Sequence, residues 1–320
     1  MNSVRAAALI VIGASCGVTE SRADEGGVSF WLPGQYASLT AVPQTPGWSF
    51  GVIYYHTQAS ADADKAFQLG SQLRLGVDAT GDLTVLAPTY VFANPLLGGQ
   101  ASAGLGVAAG YVQGNADAIL TGPGGNQVSG SLRDDRWGFG DLYPNVSLRW
   151  NQGVHSTTVV LSGDIPVGAY DADRLANLGI GHAAIDGSFG YTYFNPQTGY
   201  EFSALAGATY NYENDDTQYQ NGIDGHIDWG WSKFLPTQMQ VGIAGYVFQQ
   251  LTGDDGEGAT LGDFKSQVMG IGPQIGKLYP LWVMQAYFNV RGYYEFAASN
   301  RAEGWNVYVT FGLSPAAPQH

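Results

Sequence analysis

The sequence predicts an antiparallel transmembrane β-barrel, and three observations support this fold class. Polar and apolar residues alternate in segments about as long as the 9–11 residues that cross a bilayer as a tilted strand. Only 12% of the 320 residues are charged, against about 25% in soluble domains, although 45% are hydrophobic. No segment offers the ~18 consecutive apolar residues of a membrane helix. Strands of this length and pattern favour a membrane barrel over a soluble β-sandwich or a lipocalin-like barrel.

The first 23 residues have the features of a secretory signal peptide. Arg5 supplies a positive charge, residues 6–15 form an apolar stretch too short to span a membrane, and residues 21–23 place small side chains at a cleavage site. We therefore expect cleavage before Asp24, with lipidation of Cys16 as the less favoured alternative. Cleavage there removes the only cysteine, so the exported chain has no thiol for a disulfide or for catalysis.

Residues 24–46 form an N-terminal segment between this signal and the first strong strand. The segment contains Trp31 and three prolines and lacks strand alternation. This composition gives the hypothesis that the segment folds inward as a plug. The barrel is predicted over residues 47–314, followed by a short tail, residues 315–320.

Turn residues separate the candidate strands, which number thirteen. A bacterial single-chain barrel has an even number of strands, so we predict about twelve, with fourteen as the alternative. The uncertainty lies between Trp48 and Phe92, where one segment is not a full strand or Val28–Leu32 supplies another. The candidates are residues 48–55, 67–78, 83–92, 103–111, 142–150, 157–167, 183–193, 200–212, 227–233, 239–251, 267–277, 284–296 and 305–313.

The clearest alternation occurs in residues 67–78. One parity carries Phe67, Leu69, Leu73, Leu75 and Val77, and the other carries Gln68, Gln72, Arg74 and Asp78. Because successive side chains of a strand point to opposite faces, this segment is predicted to cross the membrane as one strand. A turn is then expected at Thr80-Gly81.

The connections between strands alternate between short and long. Short periplasmic turns and long extracellular loops are the asymmetry typical of outer-membrane barrels. The short connections are residues 151–153, 195–198, 235–237 and 279–280, and the long ones are residues 112–136, 171–180, 213–222 and 252–264.

The formal net charge of -14 makes nucleic acid a poor partner. Acidic residues gather in the loops, as at Asp215-Asp216 and Asp254-Asp255, where solvated loop tips are the favoured interpretation. The more specific alternative is that divalent cations bridge these carboxylates to outer-membrane lipid. No segment matches a calcium-binding loop.

Catalytic, metal and cofactor sites are not predicted. His226 stands two residues before Asp228 on the same strand face, near an extracellular loop, and we expect both at the rim of the barrel. A hydrolase needs a serine within hydrogen-bond reach of such a histidine, and Ser232 is two steps beyond Asp228. No Gly-x-Ser-x-Gly elbow occurs, and no histidine pair stands at metal-ligand spacing.

The inward parity carries ionisable residues that we predict to line the lumen. Such groups inside a barrel either pair with one another or line a water-filled path. Both an arginine–carboxylate ladder and a pore lining remain open. The residues are Arg74, Arg149, Asp164, Asp186, Glu201, Arg291 and Glu295.

From Trp137 onward, with the opening at residues 43–55, the chain resembles the outer-membrane transporter family described as "MetA-pathway of phenol degradation". The motifs that carry the resemblance are Gly138-Phe139-Gly140-Asp141, residues 166–171, Asn177-Leu178-Gly179, Tyr219-Gln220-Asn221-Gly222 with His226 and Asp228, Gly245-Tyr246, residues 249–252 with Asp254, Ile271-Gly272-Pro273-Gln274 and Asn300-Arg301. The resemblance implies an outer-membrane barrel and a link to aromatic catabolism, and it supplies no catalytic residues.

The expected function is therefore that of a channel in the outer membrane of a Gram-negative bacterium. It would let small hydrophobic or aromatic solutes cross passively, with selectivity set by pore width and lining. A barrel that hydrolyses lipid, and a closed structural or surface-binding barrel, are the alternatives.

Overall fold

The computed structural model describes residues 29–61, 66–69, 72–75, 77–121, 127–259 and 265–317. The predicted signal peptide, with Cys16, Asp24 and Val28, lies outside these ranges, and residues 29–32 form no strand. No helix within the described ranges is long and apolar enough to cross a membrane. The strands are β1 Gly47–Ser60, β2 Ala66–Leu69, β3 Gln72–Leu75, β4 Val77–Val91, β5 Gln100–Thr121, β6 Gln127–Gln152, β7 His155–Asp164, β8 Ala184–Phe194, β9 Tyr200–Asn211, β10 Asp224–Phe234, β11 Met239–Gln250, β12 Gln267–Leu281, β13 Met284–Ser299 and β14 Glu303–Pro315.

Twelve of these strands form a closed antiparallel barrel. Strand β1 pairs with β4 along its whole length, from Gly47 opposite Val91 to Ser60 opposite Asp78. Its other edge pairs with β14 and closes the sheet. Closure leaves no unpaired edge, which is the condition for placing a sheet in lipid. The predicted transmembrane barrel of twelve strands is confirmed.

The two faces of the barrel reverse the pattern of a soluble protein. In β9 the outward Phe202 is 38% exposed, whereas the neighbouring Glu201 and Ser203 are 0% exposed. Apolar side chains cover the outer surface and polar side chains fill the interior, as expected for a wall between lipid and lumen. An aromatic cluster lies among the buried residues of the interior, with Trp31, Tyr246, Phe248, Tyr293 and Tyr308.

The prediction that residues 67–78 form one membrane strand is wrong. Strands β2 and β3 pair with each other as a small separate hairpin, with Ala66 opposite Leu75. Strand β4 begins at Val77 and continues through Thr80 and Gly81, where a turn was expected. A hairpin and a single strand share a period of two, so alternation alone does not distinguish them. Without this segment, the other twelve candidates correspond to the twelve barrel strands.

The long loop expected at residues 112–136 is also wrong in part. Strands β5 and β6 continue their ladder from Val112 opposite Arg136 to Thr121 opposite Gln127. At about 3.3 Å per residue, the 26 residues of β6 are much longer than a bilayer core of about 30 Å requires. The hairpin therefore projects beyond the membrane, where both faces can be polar and the alternation is lost.

Candidate functional site: the lumen and its N-terminal segment

Residues 29–46, called the N-terminal segment below, run through the lumen along the barrel axis. Near the end with short turns, the backbone N–H of Gln44 donates to Gln100 Oε1 at 2.9 Å, at the start of β5. Toward the other end, Ser29 Oγ lies 3.4 Å from Arg301, in the connection between β13 and β14. The segment therefore spans the interior between the two ends of the barrel.

Asp228 of β10 holds the middle of the segment. Its two carboxylate oxygens accept the backbone N–H groups of Gly34, at 2.9 Å, and of Tyr36, at 3.1 Å. Asp228 is 1% exposed, so these bonds replace the water that would otherwise solvate the carboxylate. Hydrogen bonds to a charged acceptor in a buried site are among the strong ones.

Arg291 of β13, three strands along the barrel wall from β10, holds the same turn. Its guanidinium donates to the carbonyl of Gly34, at 3.1 Å, and to that of Gln35, at 2.7 Å. Tyr293 also donates to the Gly34 carbonyl, at 3.2 Å, and Tyr308 donates to the carbonyl of Pro33 at 2.9 Å. Strands β10, β13 and β14 are thereby joined through the backbone of four consecutive residues, Pro33 to Tyr36.

Glu201 and its neighbours hold the next stretch toward the short turns. Glu201 Oε1 accepts the N–H of Leu39 at 2.9 Å, and Thr192 Oγ1 accepts the N–H of Ala41 at 3.0 Å. The hydroxyls of Ser38 and Ser232 lie 2.7 Å apart. Serine and threonine suit these positions because a small hydroxyl can satisfy a backbone group at close range.

Arg149 lies at the short-turn end of the lumen. Its Nη1 donates to Ser147 Oγ at 2.6 Å, to Ser102 Oγ at 3.2 Å and to Gln44 Oε1 at 3.3 Å. Within the described ranges, neither Arg149 nor Arg291 forms an ion pair with a carboxylate. The two arginines thus use neutral acceptors, which include groups of the N-terminal segment.

His226 and Asp228 lie near the long-loop end of β10, and both are buried. His226 Nε2 lies 2.8 Å from Asp186 Oδ2, and the Asp186 carboxylate also accepts the hydroxyls of Ser188 and Thr209, at 2.6 and 2.9 Å. Trp31 stacks on the His226 ring, with 3.5 Å between ring centroids. Among the described residues, no serine hydroxyl is hydrogen-bonded to His226, so a Ser–His pair is not assembled.

The remaining predicted residues take different surroundings. Glu295 is buried and accepts Tyr246 Oη at 2.6 Å, whereas Asp164 is buried with neither carboxylate oxygen hydrogen-bonded in the described part of the chain. The side chain of Arg74 lies outside the described residues. Sequence reasoning did not name Trp31 or Gly34 as contact residues, although both lie in the segment it proposed as a plug. A segment without regular secondary structure has no periodic sequence pattern, so its contacts could not be predicted from periodicity.

A second cluster, the Asp134 clasp, fixes the connection between β7 and β8. Asp134 Oδ1 accepts Arg174 Nη2 at 2.6 Å, and its Oδ2 accepts Arg174 Nε and the N–H groups of Leu175 and Ala176, at 3.1, 3.1 and 3.0 Å. The guanidinium is therefore held by both carboxylate oxygens, and the chain that follows it is held through its backbone. Two-oxygen contacts of this kind add geometric specificity.

Replacing Asp134 by alanine is expected to free residues 171–178 from β6. Without the carboxylate, four N–H donors lose their acceptor and must be solvated by water. The free energy of local opening should then fall by about 1–2 kcal/mol, which corresponds to roughly 5–30-fold faster cleavage after Arg174 by trypsin. The matched control is Asp135→Ala, because the neighbouring Asp135 contacts Arg174 through its backbone carbonyl. Equal cleavage rates for the two variants would remove the clasp from the description of this loop.

We expect the same connection to be sensitive to pH through His182. Burial lowers the pKa of His182 below its ordinary 6.5, and its Nδ1 lies 3.0 Å from the carbonyl oxygen of Ala183. An opened loop therefore binds more protons below pH 6.5 than the closed loop, so opening is favoured as pH falls. Relative to an unstructured reference peptide cleaved at the same pH, which corrects for the loss of trypsin activity in acid, tryptic cleavage of the loop should increase from pH 7 to pH 5, and His182→Gln should flatten this ratio. An unchanged pH profile in the variant would assign the effect to other groups.

Comparisons with known proteins identify one sequence family and several similar solved structures. The chain matches the sequence model of the family described as "MetA-pathway of phenol degradation" over residues 63–311. No curated protein matches the chain. The COG4313 outer membrane channel from Pseudomonas putida F1 is 14% identical, with a TM-score of 0.66 over 87% of this chain and 99% of that chain. The beta domain of the Bordetella autotransporter BrkA is 12% identical, with a TM-score of 0.45 over 84% of this chain and 100% of that chain.

At such identities the Pseudomonas putida channel shows a shared fold, which is the fold of outer-membrane barrels. The family match shows more than a shared fold, because it covers most of the sequence, from the β1–β4 connection to β14. It includes the motifs from Gly138 to Arg301 that carry the resemblance, whereas the opening at residues 43–55 lies before the matched range. The chain therefore belongs to the family described as "MetA-pathway of phenol degradation".

Proposed function

We propose that the protein is an outer-membrane channel for the passive passage of small hydrophobic molecules, aromatic ones included. The observation that carries the proposal is a closed twelve-strand barrel whose lumen holds the N-terminal segment. Barrels of about 8 strands are filled by side chains and those of about 16–18 enclose aqueous channels. A twelve-strand barrel has room for an internal segment, and the segment restricts what passes.

In this proposal the buried polar residues of the wall hold a plug. Asp228, Glu201 and Arg291 each bind backbone groups of the N-terminal segment. Backbone groups released from such sites would be solvated by water entering the lumen, which limits the free energy needed to displace the segment. Selectivity would then come from the width and the lining left around the segment.

The Pseudomonas putida protein with this fold is an outer membrane channel, and the family description refers to phenol degradation. The first supports passage of a solute, and the second supports an aromatic solute. A lipid hydrolase is less favoured, because His226 is covered by Trp31 and is bonded to Asp186 rather than to a serine. Hydrolysis of a lipid ester that is lost in His226→Ala would restore that alternative.

Planar-bilayer recordings of the purified full chain test the proposal directly. A channel gives discrete conductance steps, whereas a closed structural barrel gives none. The rate of solute uptake is measured in a porin-deficient Gram-negative host. Cells that express the protein should take up a small aromatic compound faster than cells with an empty vector. Uptake must be compared at low external concentration, where the outer membrane limits the rate. Absence of both conductance and faster uptake would overturn the proposal.

A further inference from the structure

An apolar cavity of about 220 Å³ lies inside the barrel toward the long-loop end. Its wall is built by β1, β4 and β5, by Leu32 of the N-terminal segment and by the connection that the Asp134 clasp holds. The apolar side chains around it include Tyr55, Leu83, Val112, Leu175 and Leu178. The cavity is therefore assembled from the wall, the N-terminal segment and the clasped loop together.

The size of the cavity sets the size of an occupant. Drug-sized ligands occupy pockets of about 300–1,000 Å³, whereas an apolar cavity of about 150 Å³ is sufficient for benzene. A volume of about 220 Å³ fits one ring with a small substituent. Because most of the lining is apolar, an aromatic or similarly compact apolar body suits the cavity better than a sugar or an amino acid.

Among the residues that the structure describes, two charged ones line this cavity, and they differ in how many hydrogen bonds they already make. The Glu295 carboxylate accepts Tyr246 Oη at 2.6 Å, Asn306 Nδ2 at 3.2 Å and the N–H of Gly304 at 2.9 Å. Arg301 has a long contact of 3.4 Å with Ser29 Oγ and lies over the Phe248 ring at 4.8 Å. A guanidinium carries five N–H donors, so Arg301 retains donors for a ligand within the described surroundings.

The geometry points to a binding site for a neutral single-ring aromatic molecule that carries one oxygen acceptor. The ring lies among the apolar side chains of the cavity, and the oxygen accepts a hydrogen bond from Arg301. A neutral ligand is favoured because the Glu295 carboxylate offsets the attraction of Arg301 for an anion, and because a carboxylate would lose its hydration in a mostly apolar cavity. This inference deepens the proposed function, on which it rests, by naming a site and a substrate class.

Binding is measured on the purified full chain in detergent by equilibrium dialysis against empty micelles, with benzyl alcohol as the probe. Ala79 lines the cavity on β4, and Ala79→Phe should fill it and weaken binding by about tenfold or more. Ala87→Phe is the matched control, because it places the same ring on the same face of β4, about 27 Å away along the strand in the direction of the short turns. Heat-modifiable migration on gels verifies that both variants fold.

Arg301→Met tests the polar contact separately. Affinity for benzyl alcohol should fall about three- to tenfold, while affinity for ethylbenzene, which lacks the oxygen, should be unchanged. Benzoate should bind more weakly than benzyl alcohol to the unmodified protein. Equal binding by the Ala79→Phe and Ala87→Phe proteins would overturn the site, and equal or tighter binding of benzoate would overturn the assignment of a neutral ligand.

The binding and conductance measurements fail independently of each other. A protein that binds benzyl alcohol in the cavity but gives neither conductance nor uptake would overturn the proposed function and leave the site in place. A protein that conducts and takes up aromatic solutes, but binds benzyl alcohol equally with and without Ala79→Phe, would overturn the site alone.

Discussion

Deletion of residues 29–46 is expected to raise the single-channel conductance several-fold over that of the full chain. The segment contacts β8, β9 and β10 and, further along the barrel wall, β13 and β14. No barrel strand is removed, because β1 begins at Gly47 and its pairing with β4 and β14 involves no residue of the segment. Water would enter the emptied lumen and solvate the carboxylates and arginines that the deletion exposes. Ions could then pass through this water.

The deletion also shortens the chain, so a replacement of residues 29–46 by a Gly/Ser sequence of equal length serves as its companion. A flexible polar sequence keeps the length but offers no Trp31 for His226 and no fixed turn for Asp228 and Arg291. Both variants should conduct more than the full chain and retain heat-modifiable migration. If both conduct as the full chain does, the N-terminal segment does not limit passage and the proposed plug is wrong.

The barrel could be predicted from the sequence because lipid imposes a simple rule on every strand. In β9, Phe202 must face lipid and Glu201 must face the interior, and the period of two records this choice directly. The same rule failed at residues 67–78, where β2 and β3 form a hairpin. Which strands pair depends on the register between them and on the turns that connect them. Alternation within one segment carries no information on either.

The candidate site was predictable only in part, for a related reason. Parity places Arg291 and Glu201 on the inward face, but their partners are backbone groups of Gly34, Gln35 and Leu39. Arg291 and Gly34 are 257 positions apart in the chain, and a backbone carbonyl has no side chain that could mark it as a partner. The sequence therefore predicted inward charges and an inward segment separately, without the contacts that join them.

A single substitution at Gly34 is expected to release the N-terminal segment without removing it. Gly34 has φ of +83°, a conformation that costs an L-residue about 1 kcal/mol or more. A Cβ at this position would lie 2.8 Å from Tyr246 Cδ1 and 2.8 Å from Tyr293 Cε2. Neither ring can retreat freely, because Tyr246 donates to Glu295 and Tyr293 donates to the Gly34 carbonyl.

Gly34→Ala should therefore shift the docked segment toward a released state by about 2 kcal/mol or more, roughly 30-fold in the equilibrium. Longer open times in bilayer recordings are the first readout. The second is the rate at which a membrane-impermeant maleimide labels Ser38→Cys, measured with Cys16→Ser, since Ser38 is part-buried against Ser232 in the docked segment.

Gly98→Ala is the matched control, because Gly98 has a similar φ of +74° but a Cβ there would meet nothing within 4 Å. It lies in the turn between β4 and β5, away from the N-terminal segment, so it reproduces the backbone strain without the steric conflict. Only Gly34→Ala should lengthen the open times and accelerate labelling. Equal effects of the two substitutions would mean that backbone strain, rather than contact with Tyr246 and Tyr293, is responsible. No effect of either would mean that Gly34 does not help to hold the segment in the lumen.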